Sequence, residues 1–136
     1  MDMIILIGRI LLSLIFLGSG VAHLTQPDGI APGAASKGVP RPKLVVQLSG
    51  AAWTVCGLAV VLGIWADLAL LAITILLIVV TLVMHRFWNE EGEARQHELT
   101  QFLKNLSIAG GSFALFGFFA DGYDRWQLVA PALNLT

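Results

Sequence analysis

Four long apolar stretches restrict the fold of this 136-residue chain more than any other feature. They cover residues 4–24, 44–65, 68–84 and 102–120. Each is close to the roughly 20 residues that a helix needs to cross a hydrocarbon core about 30 Å thick. Backbone groups in lipid must be hydrogen-bonded within their own segment, so we expect each stretch to be helical. The sequence therefore predicts an all-α fold, an integral membrane four-helix bundle forming a single transmembrane domain over residues 1–136.

The composition agrees with a membrane location. Hydrophobic residues make up 57% of the chain and charged residues 12%, whereas soluble domains carry about 25% charge. Eight basic and nine acidic residues nearly cancel, which argues against a nucleic-acid partner. Cys56 is the single cysteine, so an internal disulfide or dithiol redox pair is excluded. The first stretch could also be a signal peptide, but no positive residue precedes it and it is too long, so we expect it to be retained.

The two long connections differ in character. Residues 25–43 contain four prolines and three glycines, a composition that predicts an irregular segment. Residues 85–101 are strongly charged, with oppositely charged pairs four residues apart, as on a helix surface. We expect a short interfacial helix that bends into the fourth span.

The distribution of Lys and Arg predicts the orientation, because these residues are retained on the cytoplasmic side. Six of the eight lie in the two long connections or the adjoining helix ends, against Arg9 and Arg125 on the other side. We therefore place connections 25–43 and 85–101 in the cytoplasm and both termini outside the inner membrane of a bacterial cell. The six are Lys37, Arg41, Lys43, Arg86, Arg95 and Lys104.

This topology gathers polar side chains from all four helices into one layer at the cytoplasmic end of the bundle. Arg9 is a separate candidate, about 8 Å inside the first helix from the other side. It would either extend to the outer headgroups or pair within the bundle with Asp67 or Asp121. Asp124 lies on the same side. The candidate ligand-binding residues of the layer are His23, Gln47, His85, Trp88, Lys104 and Asn105.

Each candidate also has a simpler interpretation. Most of the four tryptophans are typical of interfacial anchors, Trp126 among them, whereas Trp53 lies deeper. The lysines could be ordinary cytoplasmic anchors, and the histidines could make structural hydrogen bonds only. We predict no metal, because no zinc ligand set and no ring-sized haem gap accompany His23 and His85. Histidine titrates near neutral pH, which suits proton exchange with a quinone head group better.

Small residues indicate where helices could approach closely. The second and fourth spans each carry a stripe of them at three- and four-residue spacing, and a faint duplication relates the two halves of the chain. His23 and His85 precede Lys43 and Lys104 by 20 and 19 residues, which suggests two related hairpins. The stripe of the fourth span consists of Ser107, Gly110, Gly111, Ala114 and Gly117, and that of the second of Gly50, Ala51, Thr54 and Gly57.

Several motifs together resemble the DoxX family over nearly the whole chain. The most specific are His85 with Phe87-Trp88, then Phe102-Leu103-Lys104-Asn105-Leu106 and the Gly110-Gly111 pair. The resemblance implies a small four-helix bacterial membrane protein. Members of that family include subunits associated with thiosulfate:quinone oxidoreduction and components linked to membrane oxidoreductase or oxidative-stress complexes. The weaker matches are Gly8-Arg9, Phe16, Gly20, His23 and Gly38-Val39-Pro40.

Two function classes stay open at this point, as does the question of whether the chain is an enzyme. The first is a quinone-binding or oxidoreductase-associated membrane subunit with no intrinsic cofactor, in which Arg9 or the cytoplasmic layer holds the quinone head. Another subunit would then supply the electrons. The second is a non-catalytic accessory subunit of a larger, respiratory-type membrane complex. Both imply the lipid bilayer and other membrane subunits, or self-association, as partners.

Overall fold

The part of the chain that the structure describes contains five α-helices, and four of them are long and apolar enough to cross a membrane. The computed structural model describes residues 2–122 and 128–133, and within these ranges it contains no strand. The predicted all-α fold is confirmed. The helices are α1 (Asp2–Thr25), α2 (Pro27–Ser36), α3 (Pro42–Leu62), α4 (Ala66–Met84) and α5 (Gly92–Ala120), and a short 3-10 helix covers Phe87–Asn89.

The connection between α1 and α3 is not irregular as predicted, because residues Pro27–Ser36 form the helix α2. Pro27 occupies the first turn, where its missing N–H removes no helical hydrogen bond. Pro32 lies inside the helix, where proline is unfavourable. Ala31 and Ala34 are buried at 8% and 4% exposure, so packing against the bundle holds a helix that local propensity disfavours.

The charged connection before the fourth span also differs from its prediction. A separate interfacial helix is absent from the described ranges, since α5 runs without a break from Gly92 to Ala120. Its 29 residues span about 43 Å at 1.5 Å per residue. This length exceeds a hydrocarbon core of about 30 Å, so one end of α5 projects beyond the core.

A tight turn joins α3 to α4 at the end of the bundle opposite the long connections. Gly63 ends α3 with a φ of 67°, in the left-handed region that glycine adopts freely. The N–H groups of Gly63 and Ile64 return to carbonyls of the last turn of α3 at 3.3 and 3.0 Å. Such bonds satisfy carbonyls that the helix end leaves open, and they allow the chain to reverse within three residues.

Glycines bring α1 and α3 into backbone contact. A Cβ atom added to Gly20 would lie 2.9 Å from the carbonyl oxygen of Gly50, and one added to Gly50 would lie 2.7 Å from the Cβ of His23. Nearby, the rings of Phe16 and Trp53 pack with their centroids 5.2 Å apart. The α1–α3 pair therefore uses the close approach that small residues permit.

The second close pair is α4 with α5. Its core contains Leu70, Ile73 and Phe119, each no more than 1% exposed, together with Ala109. The two pairs lie side by side, and the ends of α1 and α4 that carry His23 and His85 are at the same end of the bundle. We call this the histidine end.

Candidate functional site

A cavity of about 560 Å³ opens at the histidine end, between α1, α2, α3 and α4. His23 and His85 both line it, as the predicted layer required. Its deeper walls are apolar, with valines from α3 and α4 and the ring of Trp53, which is 4% exposed. The polar and charged side chains on its wall are His23, Lys37, Ser49, Trp53, His85 and Arg86.

The cavity is not closed off from the outer surface of the bundle. Val45 of α3 and Val79 of α4 line it and are 41% and 51% exposed. Side chains exposed on spanning helices face lipid in a membrane, so apolar surface of α3 and α4 continues from the cavity to the outside of the bundle.

His23 lies in the last turn of α1 and is held by α3. Its Nδ1 atom is 3.0 Å from Oγ of Ser49, and this hydroxyl donates a hydrogen bond of 2.8 Å to the carbonyl of Val46. The close packing of Gly50 against the Cβ of His23 explains why the ring reaches Ser49, the preceding residue. α3 therefore orients the ring of His23.

His85 follows the last residue of α4, and α5 fixes its ring. Its Nδ1 atom lies 2.8 Å from Oε2 of Glu98. The other oxygen of Glu98 is 3.6 Å from the ammonium of Lys37, which also contacts Glu90 at 3.1 Å. All four side chains are partly buried, with exposures between 19% and 34%. This network connects the cavity wall with the polar surface and ties the end of α2 to α5.

The other predicted members of the layer do not line the cavity. Lys104 is exposed and donates to the side-chain oxygen of Gln101. Trp88 is 51% exposed and packs edge-on against Phe87 and Phe102.

Asn105 borders a separate recess of only about 30 Å³, beside Thr81 of α4. Gln47, on α3, is half-buried but outside the cavity lining. Of the six residues predicted to form the polar layer, only His23 and His85 therefore line the same cavity.

Four cavity-end residues were not among the sequence candidates: Ser49, Glu98, Lys37 and Arg86. Glu98 and Ser49 lie 13 and 26 residues from their histidines, spacings that no local pattern connects. The faint duplication of the sequence gives a partial signal for these partners. Each histidine bonds to the second helix of its own hairpin, which is α3 for His23 and α5 for His85.

Arg9 lies at the opposite end and is buried in the bundle rather than extended to the headgroups. It is 1% exposed, donates from Nη2 to the carbonyl of Val61 at 2.7 Å, and lies 5.6 Å from the ring centre of Phe119. Asp67 bonds instead to backbone N–H groups of Ala132 and Leu133, at 3.1 and 2.6 Å.

The other suggested partner of Arg9 was Asp121, which is exposed at the end of α5. Asp124, like Arg125 and Trp126, lies outside the described residues. Within residues 2–122 and 128–133, no group of three or more His, Cys, Asp or Glu side chains is arranged to hold a metal ion.

Comparison with known proteins settles the family. The DoxX family model matches residues 4–86, more than half of the chain. The chain belongs to the DoxX family. A curated relative, the inner membrane protein YphA of Escherichia coli strain K12, is 30% identical over 116 residues, covering 82% of this chain and 80% of YphA. No solved structure gives a significant match. With its four long apolar helices, this DoxX protein is a multi-pass membrane protein.

Proposed function

We propose that this DoxX-family protein is a membrane subunit that binds a quinone in the cavity at the histidine end. The observation that carries the proposal is the combination of polar head space and apolar walls in one cavity that reaches the lipid-facing surface between α3 and α4. A quinone has the same two parts, a ring with two oxygens and an apolar isoprenoid tail.

The dimensions suit such a ligand. Small-molecule sites usually enclose about 300–1,000 Å³ and combine apolar walls with a few placed polar groups. The cavity has about 560 Å³, with the two histidines at its polar end and Trp53 deeper. A quinone ring at the histidines would leave its tail along the exposed valines of α3 and α4.

Histidine side chains are suitable partners for quinone oxygens, since they exchange protons near neutral pH. The single cysteine provides no dithiol pair within the chain. In this proposal electrons are therefore exchanged with a partner subunit, and the role of this chain is to bind the quinone and its protons.

The proposal is tested by ligand content and by titration. The protein purified from its native membrane should carry a quinone that solvent extraction and mass spectrometry detect. A short-chain quinone should quench tryptophan fluorescence saturably, and the Trp53→Phe variant should lose most of this quenching.

His23→Leu and His85→Leu should each weaken binding about tenfold for the redox form of the ligand that hydrogen-bonds to the ring, because a ligand oxygen loses its partner. His97 is exposed on α5, away from the cavity, so His97→Leu is the matched control and should bind as the unmodified protein does. Absence of bound quinone together with no saturable quenching would refute the proposal.

A second candidate function, the accessory subunit, is favoured by the outer face of α5. A Cβ atom added to Gly110, Gly111 or Gly117 would meet nothing within 4 Å, and Ser107 and Ala114 are exposed. No helix among the described residues packs closely on the small-residue stripe of α5, and the stripe suits packing against a helix of another membrane subunit.

A further inference from the structure

The two histidines of the cavity are held in the same way. In each ring Nδ1 is bonded to a neighbouring helix, at 3.0 Å from Ser49 for His23 and 2.8 Å from Glu98 for His85. Among the described residues, Nε2 of neither ring has a hydrogen-bond partner. It is thus the ring nitrogen that remains for a ligand in the cavity.

The partners determine which ring nitrogen carries the proton. Oγ of Ser49 lies 2.8 Å from the carbonyl oxygen of Val46, so the hydroxyl proton lies between these two oxygens. With the hydroxyl proton assigned to that carbonyl, Ser49 has no second proton to donate, and the contact with His23 then uses a proton on Nδ1. A neutral His23 then has an unprotonated Nε2.

The partner of His85 also places the ring proton on Nδ1, but this partner is a carboxylate instead of a hydroxyl. An ionised carboxylate has no proton and only accepts hydrogen bonds. Glu98 contacts the ammonium of Lys37 at 3.6 Å as well as the ring, which fits an ionised group. The proton of the 2.8 Å contact is therefore on Nδ1 of His85, and the neutral ring has its lone pair on Nε2.

We infer that the cavity binds the reduced, dihydroxy form of its ligand, a quinol, more tightly than the quinone, because His23 and His85 both offer Nε2 as an acceptor. A quinol donates two O–H groups, whereas the carbonyl oxygens of a quinone would face lone pairs. Ser49 and Glu98 are the positioning residues that fix the two tautomers. The inference rests on the proposed quinone site and specifies the redox form that it selects.

The preference depends on pH. Imidazole takes up a second ring proton on acidification, and a ring that carries a proton on Nε2 becomes a donor, which removes the advantage of the quinol. The charged groups around His85 are Glu98 from α5, Lys37 from the segment after α2 and the adjacent Arg86, while Lys37 also bonds to Glu90. His23 contacts the uncharged Ser49.

The test compares a short-chain benzoquinone with its quinol, by Trp53 fluorescence or calorimetry on the purified full-length protein. At about pH 8 the quinol should bind about tenfold more tightly, and at about pH 5 the ratio should approach one. Ser49→Ala should reduce the ratio at the higher pH, since Nδ1 of His23 loses its acceptor. Glu98→Gln should reduce it as well, because a neutral amide can donate to Nδ1 of His85 as well as accept from it, so the proton is no longer fixed on Nδ1. Glu93→Gln, an exposed charge change on the same helix, should preserve it.

Nitrogen-15 NMR of labelled histidine gives a second readout that needs no ligand. The chain has three histidines, and the exposed His97 is an internal reference. At about pH 8, His23 and His85 should both show the tautomer with the proton on Nδ1. Ser49→Ala should alter only the His23 signals and Glu98→Gln only those of His85.

The outcomes separate the two proposals. Equal affinities for quinol and quinone at both pH values, or a proton on Nε2 of either ring at the higher pH, would overturn the inference and leave a quinone site in place. Failure of both forms to bind, with the predicted tautomers present, would instead refute the proposed function.

Discussion

Asp67 shows how the end of the bundle opposite the histidines is held together. The carboxylate is completely buried, and its two oxygens accept hydrogen bonds from backbone N–H groups of Ala132 and Leu133. A further bond of 3.2 Å joins Val129 to the carbonyl of Gly63. Since buried charges are costly unless satisfied, these contacts tie residues 128–133 to the turn between α3 and α4.

Asp67→Asn tests this residue-scale contact. The amide keeps the shape but offers one acceptor oxygen, so one of the two N–H groups loses its partner, at a cost of about 1–3 kcal/mol. We expect faster proteolysis after residue 122 and a lower resistance to denaturation in detergent. Asp28→Asn is the control, because Asp28 is exposed and its contact with Lys43 is a surface ion pair. Equal behaviour of both variants would contradict the assigned role.

The residues of the cavity show what sequence can and cannot predict about this site. Distance along a helix gives the depth of a side chain in the membrane, and on that basis His23 and His85 were placed at one level. Depth does not give the direction around the helix axis, which depends on how the helices pack. For that reason Lys104 and Gln47, at the predicted level, lie outside the cavity, and Glu98 was not foreseen as the partner of His85.

At the scale of elements, the contact between α1 and α3 makes a sharp prediction about glycine. Gly20→Ala should destabilise the protein by about 1–3 kcal/mol, because the added methyl group would lie 2.9 Å from the carbonyl oxygen of Gly50. Gly18→Ala is the matched control on the same helix, since nothing lies within 4 Å of its Cβ position. Denaturation in mixed micelles measures both, and a control as damaged as Gly20→Ala would contradict the packing.

On the outer face of α5, in contrast to the α1–α3 contact, we expect a larger side chain in place of glycine to leave stability unchanged. Gly111→Leu should leave the isolated protein as stable as before, because the glycine faces open space. If α5 packs on another subunit through this face, the variant should lose that partner in native electrophoresis while its quinone content is unchanged. Val55→Phe is the control for added bulk, on an α3 position that is 66% exposed. Retention of every partner by Gly111→Leu would argue against the accessory role of this face.

The elements also show which local rules are reliable in this chain. Four spans could be predicted because a membrane demands about 20 apolar residues in a helix, a requirement that hardly depends on tertiary context. The helix α2 could not, because its proline and glycine content opposes helix and only burial of two alanines supports it. The duplication holds for the histidines but not for the glycines, since Gly50 packs on α1 while Gly111 faces outward.

At the scale of the whole molecule, the buried position of Arg9 bears on orientation. The predicted orientation compared six basic residues at the histidine end with two at the other. Because Arg9 is enclosed between Val61 and Phe119, it is not a loop charge of the kind that the membrane insertion machinery reads. Without Arg9, Arg125 is the one basic residue counted at the end opposite the histidines, against six at the histidine end. The difference in positive charge that predicts the orientation therefore increases.

We therefore expect both termini outside the cell membrane and the cavity of the histidine end at the cytoplasmic leaflet. Cys56 lies within α3 and is the single cysteine, so Cys56→Ser provides a background for site-directed labelling. In that background Thr136→Cys should react with a membrane-impermeant maleimide on intact spheroplasts. Arg95→Cys, exposed near the start of α5 at the histidine end, should react only after the membrane is opened. The reverse pattern would place the cavity at the outer leaflet, so that its protons would be exchanged with the outside medium instead of the cytoplasm.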